Sequence, residues 1–151
     1  MTRPAEYDNL VKIGQLKDAD SSADSIAQFV QMAQDMLADT QANARTSTKF
    51  YLAYEGMFNV VMAVLESYGT RPGDGAGHRA TAIGRVGVDL GLDDGEQSTL
   101  RRLHDLRNRV TYRKPIPPAT KADSAAMENL LTKMLPAALA LMKLPAQPPA
   151  Q

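Results

Sequence analysis

The sequence predicts an all-α protein, an up-and-down helical bundle of five or six helices with a long central apolar helix. In several segments apolar residues recur every three or four positions, which is typical of amphipathic helices. No segment alternates apolar and polar residues as a half-buried strand would. The 151 residues suffice for one domain with a real core, and no cysteine is present to form a disulfide or bind a metal.

The first two helices are marked by residues that favour helix starts. Pro4 and Asp8 indicate a short helix that runs to about Lys17, where the stretch "DADSS" breaks it. Ser22 or Asp24 is expected to cap the second helix. One face of that helix is apolar and comprises Ile26, Phe29, Val30, Ala33, Met36 and Leu37.

Residues 50–69, "FYLAYEGMFNVVMAVLESYG", form the most apolar predicted helix. The preceding "NARTSTKF" is either a turn or a bend in one longer helix. A helix that is apolar nearly all round belongs in a core or is shared between two subunits. Its tyrosines are therefore expected in the core or a dimer interface rather than as a platform for bases. The main stripe is Tyr51, Tyr54, Phe58, Val61, Leu65 and Tyr68.

Glycine-rich and proline-rich stretches separate the remaining helices. The loop at residues 69–78 contains four glycines, but it lacks the preceding strand and the following Lys-Ser/Thr of a phosphate-binding loop. Helices are expected at about residues 79–90, 97–112 and 122–142. The last contains Pro136, a residue that can kink a helix.

The chain is expected to divide into three parts: a short helix with a linker (residues 1–21), the helical bundle (22–145) and a disordered tail (146–151). No secretory signal is visible at the N-terminus. The most apolar stretch, residues 56–65, is far shorter than the roughly 20 residues that span a membrane. These features predict a cytoplasmic protein that does not contact membranes.

Positive charge is concentrated on one predicted helix, although the formal net charge is +0 and the pI is about 6.7. The balance of positive and negative charges over the whole chain argues against strong nonspecific binding of nucleic acid. A local excess of positive charge instead favours a specific basic site. Six of the seventeen basic side chains lie within fourteen residues, with Asp105 as the acid among them. They are Arg101, Arg102, Arg107, Arg109, Arg113 and Lys114.

A helical wheel of residues 97–113 places Arg107 at the edge of the buried stripe, beside His104 and Asn108. Tyr112 and Arg101 fall near the opposite side. Two interpretations remain open. The arginines are either ordinary solvated residues, or Arg107 and Asn108 are half-buried and converge on a polar pocket. Glu55, which interrupts the apolar central helix, either pairs with Arg107 or points to solvent.

Residues 49–83, "KFYLAYEGMFNVVMAVLESYGTRPGDGAGHRATAI", followed by "LRNRVTYR" at 106–113, resemble the HEPN superfamily (higher eukaryotes and prokaryotes nucleotide-binding). The resemblance covers about residues 22–145. It implies a HEPN-like helical bundle that is usually a homodimer. In the ribonuclease members, an Arg and a His of the motif Arg-Asn-x-x-x-His meet at the dimer cleft. They cut RNA without a metal, with the 2′-hydroxyl as the nucleophile.

Residue by residue, Arg107 and Asn108 match the motif, and Tyr112 stands where the family has histidine. A phenol with a pKa near 10 is a poor proton shuttle at pH 7, although it can donate to a phosphate or stack on a base. His104 lies on the same side of the helix and could complete a composite site with Arg107 and Asn108. Both histidines also have a purely structural alternative. His104 would then be a half-exposed helix residue with local hydrogen bonds, and His78 would cap a helix or make a loop contact.

The resemblance implies Arg107 and Tyr112 as catalytic candidates, and the position of His104 on the same helix adds it to them. Glu55 and Tyr54 are expected to give structural support. Contacts to RNA or phosphate are assigned to Arg107, Asn108, Arg101, Arg109 and Arg113. Neither a metal site nor a cofactor is expected, because two histidines and scattered aspartates make no ligand cluster.

Three functions remain open. The first is a homodimer that binds RNA or nucleotide phosphate in a cleft between subunits, in a toxin–antitoxin or defence setting. The second is a metal-independent ribonuclease toxin. The third is a noncatalytic dimer that serves a partner such as a nucleotidyltransferase or an antitoxin.

Overall fold

The computed structural model describes residues 2–43 and 45–145, so the tail expected at 146–151 lies outside the described residues. The described chain is mostly helical, as predicted, with a small sheet in addition. The helices are α1 (Ala5–Lys12), α2 (Ala23–Ala42), α3 (Thr46–Ser67), α4 (His78–Asp89), α5 (Asp94–Tyr112) and α6 (Lys121–Leu141). The strands are β1 (Leu16–Asp18) and β2 (Thr70–Pro72).

The two-stranded sheet corrects the prediction that the chain has no strands. Strands β1 and β2 pair antiparallel, with Leu16 opposite Pro72. Each strand has three residues, which is too short for an alternating pattern to be visible in the sequence. The first helix also ends earlier than Lys17, because the chain turns at Gly14, whose φ of 79° is a conformation that favours glycine.

Local caps explain where the other helices begin. Ser22 accepts a hydrogen bond from the Ser25 backbone N–H and caps α2, as predicted. The polar stretch before α3 is a break rather than a bend, since Asn43 has an extended backbone. The basic helix α5 begins three residues before the predicted start because Asp93 and Glu96 form a capping box.

Helix α3 lies between α2 and α6 and provides much of the core. Its buried residues include Phe50, Tyr54, Met57, Val61 and Leu65. Gly56 lets the three helices approach closely, because a Cβ there would lie 2.7 Å from the Leu131 side chain of α6 and 3.3 Å from Met36 of α2. The tyrosines of the predicted stripe differ: Tyr54 is fully buried and Tyr51 is 37% exposed.

The Asp89 carboxylate of α4 accepts hydrogen bonds from two side chains and links α1 to α4. The buried Tyr7 hydroxyl donates to Asp89 at 2.7 Å, and Arg85 donates to the same carboxylate at 2.7 Å. The Tyr7 ring also packs against Tyr68, with 4.6 Å between ring centroids. Burial raises the pKa of Tyr7, so the phenol stays protonated and remains a donor. Among the described residues, no helix has the length and apolar character required to cross a bilayer.

Candidate RNA and phosphate site

Arg107 is buried between α5 and α3 and forms the ion pair that the sequence suggested. Its Nη2 lies 2.7 Å from Oε1 of Glu55, and the Arg107 side chain is 11% exposed. Glu55 is 39% exposed, so one side of its carboxylate still faces solvent. The alternative in which Glu55 simply points to solvent is therefore wrong. The pair joins the C-terminal half of α5 to the middle of α3.

Two tyrosine rings lie near the Arg107 guanidinium. The guanidinium carbon is 4.8 Å from the ring centroid of Tyr54 and 5.4 Å from that of Tyr112. Both distances permit cation–π attraction. Within the described part of the chain, Nε and Nη1 of Arg107 are buried and have no hydrogen-bond partner. The rings and Glu55 must therefore compensate for most of the lost hydration of this charge.

The contact between Tyr112 and Arg107 differs from the helical-wheel expectation. The wheel placed Tyr112 near the opposite side of α5, yet its ring lies against the guanidinium. Both side chains are long and project from the last turns of α5, so they meet although their Cα atoms point in different directions. Tyr112 is 67% exposed and forms an outer cover over Arg107.

His104 is buried and bridges two candidate site residues, whereas the sequence left open a half-exposed position. Its Nδ1 lies 2.8 Å from the Tyr54 hydroxyl, and its Nε2 lies 3.2 Å from Nδ2 of Asn108. Burial lowers the pKa of His104; the negative charge of Asp105 opposes this shift, and the positive charges of Arg79 and Arg107 add to it. The imidazole is thus neutral at pH 7, and both ring nitrogens are engaged.

Arg79 and three residues from the end of α5 line an open recess of about 390 Å³. We call it the arginine recess; its residues are Arg79, Asn108, Tyr112 and Arg113. The Arg79 guanidinium lies 4.2 Å from the ring centroid of Phe58. In the described residues neither Arg79 nor Arg113 forms an ion pair with a carboxylate. Two cations, an amide and a phenol therefore face the same opening.

Sequence reasoning missed Arg79. It lies next to His78 after the glycine-rich loop, and only the orientation of α4 brings its side chain towards α5. Burial raises the pKa of Tyr54, while the charges of Arg107 and Arg79 oppose that rise. A basic residue in the first turn of the predicted helix was the available signal.

The other basic residues of α5 lie elsewhere. Arg109 donates to the carbonyl oxygens of Lys114, Ile116 and Pro117 at 2.7 to 3.1 Å, so it holds the loop after α5. Arg101 lines a separate cavity of about 510 Å³ between α4 and α5. The structure therefore brings Arg107, Asn108, Tyr112 and Arg113 together and leaves Arg101 and Arg109 outside. Arg102 pairs with Asp123 at 2.9 Å.

His78 makes the loop contact that the sequence allowed. Its Nδ1 accepts a hydrogen bond from the Gly75 backbone N–H at 2.9 Å. A Cβ on Gly73 would lie 2.3 Å from that same nitrogen, so the loop needs glycine for the ring to fit. In residues 2–43 and 45–145, no three histidine, aspartate or glutamate residues are grouped so that they could hold a metal ion.

No protein-family model matches the chain, and a search of curated proteins finds no significant match.

Proposed function

We propose that the protein is a HEPN-like homodimer that binds RNA or nucleotide phosphate in a cleft formed by the arginine recesses of two subunits. One observation carries the proposal: Arg79 and Arg113, which lack a carboxylate partner in the described structure, face one recess together with Asn108 and Tyr112. Guanidinium groups bind phosphate through paired N–H donors. The exposed Tyr112 ring offers a face on which a base can stack.

The buried residues support the recess rather than contact RNA directly. Arg107 is neutralised by Glu55 and lies beneath the Tyr112 ring, so it positions that ring. His104 bonds the Asn108 amide and orients it towards the opening. The neighbouring Arg79 and Arg113, which have no carboxylate partner in the described part of the chain, supply the positive charge. This division assigns binding to the exposed arginines and positioning to Arg107.

The inter-subunit part of the proposal follows from the resemblance and from the shape of the recess. The recess is shallow on one chain, and a second copy would supply an opposite wall and double its positive charge. Sedimentation velocity tests this directly. A dimer at micromolar concentration is the expected result, and a monomer at binding-competent concentrations would contradict the shared cleft.

Fluorescence anisotropy with a labelled single-stranded RNA tests the binding site. Arg79→Gln and Arg113→Gln should each weaken binding about tenfold, since each removes charge-assisted hydrogen bonds to phosphate. Lys12→Gln is the matched control: it removes an exposed charge from the end of α1, away from the recess, and should bind as the wild type does. Equal affinities for all three variants would reject the assignment.

A second function is favoured by the burial of Arg107: a noncatalytic dimer that serves a protein partner. The ion pair with Glu55 and the cover of two aromatic rings are features of a residue that holds α5 against α3. Under this alternative, the wild-type protein binds no RNA in the anisotropy experiment. Removal of Arg107 would then change stability alone.

Ribonuclease activity has weaker support. The neutral, doubly bonded His104 offers no free nitrogen for proton transfer, and Tyr112 is a phenol. We expect labelled RNA to remain intact when incubated with the protein in the presence of a chelator. Cleavage that disappears in Arg107→Ala would favour the enzyme instead.

A further inference from the structure

A second recess lies where the N-termini of α3 and α6 meet. It encloses about 280 Å³, and we call it the serine recess. None of its residues belongs to the arginine recess. Its polar lining residues are Thr46, Lys49, Lys121, Ser124, Glu128 and Asn129.

The positive end of the α3 dipole is not offset by any residue of α3 itself. The N-cap residue, Arg45, provides no side-chain hydrogen bond to the first turn, and that turn contains no acidic residue. The first four backbone N–H groups of a helix have no partner within the helix, and they carry the positive end of its dipole. In a helix of 22 residues, these donors favour a nearby anion. Lys49 adds an ammonium group one turn further on, and its charge is partly offset by Glu128.

Ser124 gives an independent indication of a ligand. It is 3% exposed, and among the described residues its Oγ has no hydrogen-bond partner. A buried hydroxyl without a partner destabilises the folded protein, because it has lost its bonds to water. The same hydroxyl becomes favourable as soon as an acceptor occupies the recess. It therefore points to an acceptor-rich group at this position.

We propose that the serine recess binds hydrogen phosphate or a singly protonated phosphate monoester. The Ser124 hydroxyl, the ammonium groups of Lys49 and Lys121 and the first amides of α3 donate to the phosphate oxygens. Hydroxyl, ammonium and helix-terminal amide donors are the usual partners of phosphate in proteins.

Glu128 determines which oxyanion fits. Its Oε1 lies 3.7 Å from Nζ of Lys49, so a carboxylate also faces the recess. A carboxylate repels an anion unless the ligand offers it a proton. Hydrogen phosphate carries a P–OH that can donate to Glu128, whereas sulfate at neutral pH carries no proton. The site therefore prefers phosphate to sulfate, although the two ions have the same charge and similar size.

Thermal unfolding of the full chain in phosphate-free buffer tests the site. Inorganic phosphate at millimolar concentration should raise the Tm of the wild type, and sulfate at equal ionic strength should raise it less. The sulfate arm removes the general salting effect that both ions share. Equal shifts with the two ions, or no shift with phosphate, would overturn the proposal.

Ser124→Ala distinguishes a ligand-binding serine from a structural one. If Ser124 binds phosphate, the substitution should not lower the Tm of the free protein, but it should reduce the rise in Tm that phosphate causes. Without phosphate the variant should unfold at the same Tm as the wild type or higher, since an unpaired buried hydroxyl is gone. With phosphate its Tm should rise less than that of the wild type. Ser98→Ala, an exposed serine on α5, should show the full rise. A full rise in Ser124→Ala would contradict the proposal.

Two further variants keep the test independent of Ser124. A titration of phosphate followed by amide NMR should give an apparent dissociation constant about tenfold higher for Lys121→Gln than for the wild type. Glu128→Gln should reduce the preference for phosphate over sulfate, since the repelling carboxylate is gone. An unchanged constant and an unchanged preference would reject the roles of these residues. RNA takes no part, so failure here is distinct from failure at the arginine recess.

Discussion

The ion pair between Arg107 and Glu55 predicts an asymmetric response to mutation. We consider Arg107→Met and Glu55→Met, each of which removes one charge and keeps an apolar side chain. The two partners differ in burial: the Arg107 side chain is 11% exposed and the Glu55 side chain 39%. In Arg107→Met the remaining charge is the partly exposed Glu55 carboxylate. In Glu55→Met the remaining charge is the buried Arg107 guanidinium.

The magnitudes follow from that difference. In Glu55→Met the Arg107 guanidinium stays buried, and its Nε and Nη1 already lack partners in the described residues. An uncompensated buried charge destabilises a protein by about 3 kcal/mol. In Arg107→Met the Glu55 carboxylate can rehydrate, and the Met side chain packs between Tyr54 and Tyr112. The net loss should be about 1 kcal/mol or less, because the desolvation of the guanidinium also disappears.

Urea denaturation followed by circular dichroism at 222 nm measures both changes. We expect Glu55→Met to lose about 2 kcal/mol more than Arg107→Met, and the double variant to resemble Arg107→Met within about 0.5 kcal/mol. Equal losses in the two single variants would refute the reasoning, since they would mean that burial of the guanidinium does not set the energy of the pair.

Four further variants test predictions about stability. Burial lowers the pKa of folded His104 below its unfolded value near 6.5. The contribution of the neutral imidazole to the free energy of unfolding is therefore full above that pH. The contribution is lost as the pH falls from the unfolded pKa to the folded one, so replacing His104 with Gln should flatten this part of the stability profile. Tyr7→Phe removes the donor to Asp89 and should lower the free energy of unfolding by about 1 to 2 kcal/mol in the same urea assay. Gly56→Ala should destabilise by about 1 to 3 kcal/mol, because its Cβ would clash with a side chain of α6. Gly84→Ala, where a Cβ meets nothing within 4 Å, should instead stabilise by about 0.5 to 1 kcal/mol. Destabilisation by both glycine replacements would contradict this account of packing.

The helices could be predicted because each carries a long amphipathic pattern or a cap. Ser22, for example, was one of two predicted caps of α2, and it caps that helix in the structure. The sheet could not be predicted, since two strands of three residues leave no periodic signal and are separated in the chain by α2 and α3. The early start of α5 was missed because the capping box of Asp93 and Glu96 extends the helix through a glycine.

Only part of the candidate site could be predicted from the sequence. The pair between Arg107 and Glu55 followed from one acid in an apolar helix and one arginine at the edge of a buried stripe. The contact between Arg107 and Tyr112 was missed because a helical wheel records Cα directions and not the reach of long side chains. Arg79 could not be assigned, since its position depends on how α4 packs across α3. The membership of the HEPN superfamily stays a prediction.

The salt dependence of RNA binding tests the central claim most directly. Each arginine that neutralises a phosphate of single-stranded RNA contributes about −0.7 to the slope of log K against log salt concentration. The account predicts that Arg79→Gln and Arg113→Gln each make this slope shallower by about 0.7, while Lys12→Gln leaves it unchanged. An identical slope for the wild type and all three variants would contradict the claim that the arginine recess binds phosphate.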